Sequence, residues 1–170
     1  MPIELAVLTQ ASRSANASIT KSLSEARAGG KRTAFLCHSH LDTGYASGLV
    51  NILDQIGWNV YVDWQDPHLP VSPTLETART IQERIRSAAF FLFLATPNSL
   101  SSRWCPWEIG YADGTRAHDT ILIVPTVGSD GSTLGNEYLS LYRRVDLTSD
   151  RRLGVWRPGL NTNGEWLSSL

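Results

Sequence analysis

The sequence predicts an α/β domain in which helices cover both faces of a parallel sheet of about five strands. Two observations predict this class. Short apolar runs alternate with amphipathic segments of helical period from Thr33 to Thr148. One run, "AFFLFLAT" at residues 89–96, is apolar along its whole length, which is typical of strands buried on both faces of a parallel sheet.

The first half of the alternating pattern predicts two strands and two helices. Residues 33–37 are a short apolar run and predict a buried strand, and residues 58–64 predict a second, β-rich strand. Between them, apolar residues at helical spacing predict a helix that stops at Gly57. Three prolines in "QDPHLPVSP", residues 65–73, predict a loop, and residues 74–88 predict a second amphipathic helix.

The second half continues the alternation after the apolar strand at residues 89–96. Residues 97–102, "PNSLSS", predict a loop, and the stretch that follows through Gly114 predicts a helix. Residues 120–127 and 142–148 predict the last two strands of the sheet. No internal repeat is visible.

The pattern divides the chain into three parts. Residues 1–30 are rich in Ala and Ser, end in two glycines, and predict a helical or flexible N-terminal extension. Residues 31–150 predict the α/β domain itself. Residues 151–170 have no clear period, and we expect this tail to pack on the domain or to extend it.

Composition excludes several classes of protein. Apolar residues make up 42% of the chain and charged residues 18%, as in a globular domain. The net charge of −1 does not favour a nucleic-acid partner. Two cysteines are too few for a disulfide scaffold, and no segment resembles a signal peptide or a membrane span. We therefore expect a cytoplasmic protein with no membrane contact.

Several common catalytic motifs are missing from the sequence. There is no GxGxxG after the first strand, no GxxxxGK[ST] and no GxSxG, which argues against dinucleotide-binding, P-loop and serine-hydrolase sites. The third strand ends in Ala95-Thr96-Pro97, without the acceptor aspartate that a response-regulator receiver needs. A metal site made of Cys37, His38, His40 and Cys105 matches no zinc spacing, and no metal is expected.

Ligands of such sheets bind beyond the carboxyl ends of the strands. Three segments are therefore candidates for ligand binding: "HSHLD" after the first strand, "DWQDP" after the second, and "TPNSLSSRWCPWE" after the third. In the first, Asp42 or Thr43 is alternatively the N-cap of the following helix. In the second, Asp63 is either a pocket residue or an ordinary acid at a strand end.

Glu108 has two interpretations from the residues alone. If Pro106 is the first helical residue, Glu108 is the third, where an acid caps free amides and complements the helix dipole. Alternatively, Glu108 is a site carboxylate beside two indoles. Trp104 lies four residues before it, so both side chains project from one helix face.

The motifs together resemble the Toll/interleukin-1 receptor (TIR) domains, especially bacterial ones. "AFLCHSHLD" resembles their first strand and loop, which often read F-[IL]-S-H-x-x-x-D, with Cys37 where a serine is commoner. "VYVDW" and the proline-bearing loop resemble the second strand and BB loop. "FFLFLATPNSLSSRWCPWEIGYA" resembles the third strand and the next helix, in the pattern S-x-W-C-x-x-E-[LI]-x-x-A.

This resemblance, which spans about Lys31 to Thr148, implies a flavodoxin-like fold and an enzyme that cleaves NAD⁺. Glu108 matches the family's essential glutamate. NAD⁺ would be the substrate and no cofactor is expected, with nicotinamide and linear or cyclic ADP-ribose as products. The residues expected to contact the substrate are Trp104, Trp107, His38, Ser39 and Asp63.

The resemblance also implies a biological setting. Stand-alone TIR proteins of this type serve anti-phage, Thoeris-like defence, so we expect a homo-oligomer formed through TIR surfaces, including the BB loop. A separate effector chain would respond to the nucleotide product, because the 170 residues hold no attached sensor or effector domain.

Two alternatives stay open at this point. One is a non-catalytic TIR module that acts by self-assembly. The other is an enzyme like the nucleoside deoxyribosyltransferases, which share a similar sheet and a glutamate, although "RWCPWE" fits them less well.

Overall fold

A computed structural model describes residues 1–13, 30–62, 74–128, 131 and 137–170. Eight strands form one sheet: β1 Ile3–Glu4, β2 Arg32–Cys37, β3 Trp58–Tyr61, β4 Phe90–Ala95, β5 Ile121–Val127, β6 Arg143–Leu147, β7 Leu153–Trp156 and β8 Glu165–Trp166. The order is β3-β2-β4-β5-β6-β7-β8, with β1 beside β5. The five strands from β3 to β6 in this order are parallel, which confirms the predicted fold class.

Helices cover both faces of the sheet. Within the described residues the α-helices are α1 Leu5–Arg13, α2 Thr43–Gln55, α3 Leu75–Ser87, α4 Pro97–Ser101 and α5 Cys105–Thr115, and 3₁₀ helices span His40–Asp42, His118–Thr120, Glu137–Leu141 and Leu167–Ser169. α1 and α2 pack on one face, and α3 and α5 pack on the other. Among the described residues, no helix is long and apolar enough to cross a bilayer.

The central strands are buried on both sides because their side chains alternate between the two helical layers. Along β4, Phe91 and Phe93 point toward α3 and α5, whereas Leu92 and Leu94 point toward α1 and α2. All four are fully buried. Because of this two-sided burial, polar side chains that react with a ligand have to lie at the edges of the sheet where the strands end.

The strand order predicts a crevice at one of these edges. From β2 the chain first moves outward to β3 and then returns to β4 on the other side of β2. The connections that leave the carboxyl ends of β2 and β4 therefore diverge, and such a switch point is where doubly wound sheets bind ligands. β2 ends at Cys37, and β4 ends at Ala95.

Residues 1–13, part of the extension predicted from the sequence, form a strand and a helix that pack on the sheet. Ile3 pairs with Thr126 of β5, and Ile3 and Leu8 are fully buried. The side-chain amide of Asn51 in α2 donates to the carbonyl of Ala11 at 2.9 Å. Residues 14–29 of the predicted extension lie outside the described residues.

The structure corrects one predicted loop. "PNSLSS" contains the helix α4, because the segment has a complete helix start. The Thr96 hydroxyl accepts from the Ser99 N–H at 3.0 Å, the Ser99 hydroxyl accepts from the Thr96 N–H at 2.9 Å, and Pro97 opens the helix.

The C-terminal tail adds two antiparallel strands, β7 and β8, beyond β6. Their packing requires two glycines around one indole. A Cβ atom at Gly154 would lie 2.4 Å from the Trp156 ring, and one at Gly164 would lie 2.7 Å from it. A period-2 pattern is therefore interrupted where the ring needs space, which explains why the sequence shows no clear strand here.

The contact between α1 and α2 predicts a position that tolerates no side chain. A Cβ atom at Gly48 would lie 2.0 Å from the Leu8 carbonyl oxygen, so the helices would have to separate. We expect Gly48→Ala to lower the free energy of unfolding by about 1–3 kcal/mol, measured by urea denaturation. Gly44→Ala is the matched control, because the same helix leaves open space there. It should be neutral or raise the free energy of unfolding by up to about 1 kcal/mol. Equal stability of the two variants would contradict the close packing.

Candidate active site

Glu108 lies in the first turn of α5 and is 4% exposed. The helix begins at Cys105, one residue before Pro106, so Glu108 is the fourth helical residue and not the third. Its N–H already donates to the Trp104 carbonyl at 2.9 Å, inside the helical hydrogen-bond pattern. A capping acid acts from the third position, so capping does not account for this burial. The buried carboxylate therefore calls for another explanation.

Cys37, the last residue of β2, lies beside Glu108. Burial raises the pKa of the Cys37 thiol well above its ordinary value, and the neighbouring Cys105 and Glu108 raise this pKa further. The Cys37 Sγ lies 3.9 Å from the Cys105 carbonyl oxygen. A protonated thiol is neither a nucleophile nor a metal ligand. The contact places the Glu108 carboxylate next to the carboxyl end of β2, at the crevice.

The residues that follow β2 are held in a fixed turn at the same edge. His38 and Ser39 are 8% and 4% exposed. The His38 Nδ1 lies 3.1 Å from the Leu36 carbonyl oxygen, and because a carbonyl only accepts, this hydrogen bond requires the ring proton on Nδ1. The Ser39 hydroxyl accepts from the Leu41 N–H at 3.3 Å. The structure therefore brings His38, Ser39 and Glu108 to one end of the sheet.

Asp42 links the two loops that flank the crevice. It is 1% exposed, and its carboxylate accepts hydrogen bonds from the Thr96 hydroxyl and, at 2.7 Å, from the Asn98 side-chain amide. Asp42 stands at the N-cap position of α2, one of the two predicted for it, but its carboxylate makes no capping bond to that helix. Sequence reasoning missed this contact because its partners lie 54 and 56 residues away along the chain. Asp42 ties the loop after β2 to the segment that leads into α5.

The far end of α5 is also fixed. The Arg116 guanidinium donates to the carbonyls of Ile85, Ala88 and Ala89, where α3 ends and β4 approaches. A cation at a helix C-terminus complements the helix dipole. α5 is held at its end through Arg116, and at its start the Ser102 hydroxyl accepts from the backbone N–H groups of Trp104 and Cys105, so Glu108 lies on a helix fixed at both ends.

Two indoles accompany Glu108. Trp104 precedes α5 with helical backbone angles, φ −89° and ψ −42°, so the one-turn spacing to Glu108 is kept. The Trp104 side chain is half-buried, and the backbone N–H of Trp104 donates to the Ser102 hydroxyl at 3.2 Å. Trp107 is 36% exposed and contacts Trp104 edge to face. Asp63 and the predicted loop at residues 65–73 lie outside the described residues.

The described residues contain no cluster of three or more His, Cys, Asp or Glu side chains that could hold a metal ion. Both cysteines are buried free thiols.

Comparison with known proteins identifies the family. A family profile described as TIR domain matches residues 34–154. The chain belongs to the TIR-domain family. This TIR domain is also 43% identical, over 113 residues, to a protein of Bacillus cereus (strain MSX-D12) named "Probable 3' cyclic ADP-D-ribose synthase ThsB'". The match covers 65% of this chain and 58% of that relative.

The buried contacts of Asp42 predict a polarity swap that can be tested. Asp42→Ala should lower the free energy of unfolding by about 1–3 kcal/mol, because the Thr96 hydroxyl loses its acceptor in a buried site. Asp42→Asn should also lower the free energy of unfolding, because the new NH₂ group would face the NH₂ group of Asn98 and neither can accept a hydrogen bond. Combining Asp42→Asn with Asn98→Asp reverses donor and acceptor and should restore part of the loss. Thermal denaturation of the wild type, Asp42→Asn, Asn98→Asp and the double variant measures this coupling, and strictly additive effects would argue against the contact.

The raised pKa of Cys37 predicts low reactivity and a pH effect on stability. Iodoacetamide at pH 8 should leave Cys37 unmodified in the folded chain and modify it in urea, as read by mass spectrometry. The unfolded thiol ionises near its ordinary pKa of 9.0, whereas the folded thiol stays protonated. The associated stability is fully present below pH 9 and is lost as the pH rises toward the folded pKa. Cys37→Ala should lack this decline. Rapid native labelling would contradict the burial.

Proposed function

We propose that this TIR domain cleaves the bond between nicotinamide and ribose in NAD⁺ and releases nicotinamide with linear or cyclic ADP-ribose. The observation that carries the proposal is the buried Glu108 carboxylate on α5, next to the carboxyl end of β2 at the switch point. The Bacillus cereus relative, which is named a probable 3' cyclic ADP-D-ribose synthase, supports it. The match covers 58% of the length of that relative.

One carboxylate is enough for this reaction. Ordinary glycosidases need a second, acidic carboxyl group that protonates the leaving oxygen. Nicotinamide carries a positive charge in NAD⁺ and departs as a neutral molecule, so it needs no proton. The carbon–nitrogen bond breaks with its electron pair going to the nicotinamide nitrogen. Positive charge then develops on the ribose, and a nearby anion stabilises it.

Glu108 is the group we assign to that charge. Its carboxylate would hold the ribose hydroxyls and stabilise the oxocarbenium-like transition state, or trap it covalently. Burial strengthens the attraction, because two charges interact more strongly where water is excluded. The N-terminal end of α5 favours a negative charge at this position.

The remaining side chains would position the substrate. Trp104 offers a flat indole one helical turn from Glu108, suited to stacking on nicotinamide or adenine. His38 and Ser39 lie in the fixed turn after β2, where ribose or phosphate groups would pass. Asp63 stays a predicted substrate contact.

Two products follow from what attacks the ribose carbon. Water gives ADP-ribose and a proton. A nucleophilic atom of the adenosine half of the same molecule gives a ring, also with loss of a proton. The second outcome requires the adenosine half to fold back over the ribose, and an indole at Trp104 would hold it there.

The family resemblance extends the proposal to a biological role. The chain would act in the cytoplasm in anti-phage defence, as a homo-oligomer, and its nucleotide product would activate a separate effector. Phage infection of cells that carry the wild-type gene or the Glu108→Gln gene tests this role.

The central test replaces the carboxylate without changing its shape. Glu108→Gln should lower nicotinamide release at least about 100-fold, because the amide cannot balance the developing positive charge. Purified protein is incubated with NAD⁺, and nicotinamide, ADP-ribose and cyclic products are separated by chromatography. The control is Glu83→Gln, which removes an exposed acid from α3 and should keep wild-type activity. Thermal denaturation confirms that both variants fold.

Activity that survives in Glu108→Gln would overturn the assignment of the site. A wild-type protein that releases no nicotinamide, even when concentrated enough to assemble, would favour the non-catalytic TIR module.

A further inference from the structure

Three aromatic side chains lie along one side of α5. The Trp104 and Trp107 ring centroids are 5.3 Å apart with an interplanar angle of 88°, an edge-to-face contact. Trp107 in turn stacks on Tyr111, at 6.1 Å and 17°. The spacing of three and then four residues places successive rings next to each other on a helix. The first ring of the row is the one we assign to the substrate.

The middle ring is not a core residue. Trp104 and Tyr111 pack partly against the hydrophobic cluster between the sheet and α5, whereas Trp107 is 36% exposed and lies outside that cluster. The ring contacts that the structure gives Trp107 are those with Trp104 and Tyr111. An indole at this exposure contributes less to the stability of the fold than a buried one, so the ring contacts of Trp107 are the better guide to its role.

We propose that Trp107, backed by Tyr111, is a positioning residue that fixes the plane of the Trp104 indole and thereby sets the ratio of cyclic to linear product. This inference rests on the proposed function. The backbone of Trp104 is fixed by the helix and by the Ser102 hydroxyl, but its side-chain torsions depend on neighbouring rings. An edge-to-face contact changes the population of a ring orientation by about two- to tenfold.

The ratio of products is the quantity most sensitive to that orientation. Breakage of the glycosidic bond precedes the choice of nucleophile and depends chiefly on Glu108. The ring closes only while the adenosine half stays folded over the ribose. A Trp104 indole held in one plane keeps that geometry, whereas a freely turning indole lets water reach the ribose carbon first. Trp107 thus favours ring closure through Trp104, without touching the substrate.

The test measures nicotinamide, cyclic product and ADP-ribose separately for each variant. Trp107→Ala should lower the cyclic-to-linear ratio about two- to tenfold. Tyr111→Ala should lower it in the same direction by less, and Tyr111→Phe, which keeps the ring, should keep the wild-type ratio. Trp166→Ala is the matched control, because it removes an indole of similar exposure, 38%, from the C-terminal strand β8. It should leave both the ratio and the rate unchanged.

A double-mutant cycle distinguishes positioning from direct contact. If Trp107 acts through Trp104, Trp107→Ala should have no further effect on the ratio in a Trp104→Ala background. A further decrease in that background would overturn the inference and return Trp107 to direct substrate contact. An unchanged ratio in Trp107→Ala, or a wild type that makes only linear product, would also overturn it. These results leave nicotinamide release intact, whereas a wild type without nicotinamide release refutes the proposed function itself.

Discussion

Two-sided burial of the sheet is the constraint on which the rest of the molecule depends. Each central strand contributes alternate side chains to two apolar layers, so no polar group can lie in the middle of a strand without desolvation. Polar side chains are therefore collected where the strands end. The strand order then selects one place along that edge, between β2 and β4, where the outgoing connections diverge.

Two buried carboxylates lie at this place, and the fold uses them differently. Asp42 accepts from two fixed donors, so its charge is compensated inside the protein and serves to join two loops. Glu108 lies beside the thiol of Cys37, on a helix anchored at both ends. A carboxylate in such surroundings interacts strongly with any cation that enters. Asp42 thus fixes the segment that leads into α5, and α5 carries Glu108.

The sequence was sufficient to predict the central fold because the signals there are local. The run at residues 89–96 and the helical spacing before Gly57 each contain their own evidence, and both elements are present. The predicted loop at residues 97–102 was wrong, because a capping box between Thr96 and Ser99 starts a short helix there. Local patterns do carry that signal, since Thr96, Pro97 and Ser99 are all helix-start residues.

Long-range contacts were beyond prediction from one sequence. Asp42 and Thr96 come into contact only in the assembled sheet, and the local sequence of neither segment indicates the other as its partner. The packing of Trp156 was also beyond prediction. Its ring occupies space left by Gly154 and Gly164, and without that contact the sequence of the tail shows no strand pattern. For the candidate site, the resemblance selected Glu108, and the residue pattern could not decide between a helix-start acid and a site carboxylate. Its burial and its place beside Cys37 came only from the structure.

The contact between Cys37 and Glu108 has a practical consequence. The S–H stretching vibration absorbs in an infrared window that other protein groups leave nearly empty, and its frequency responds to the local electric field. Because Cys37 is a protonated thiol next to the carboxylate, one of the two buried thiols of the chain is a native spectroscopic reporter at the crevice, and Cys105→Ala would leave its band alone in the spectrum. A cationic molecule that enters would change the field at this bond. Occupancy of the crevice can thus be followed without a label or a chemical reaction.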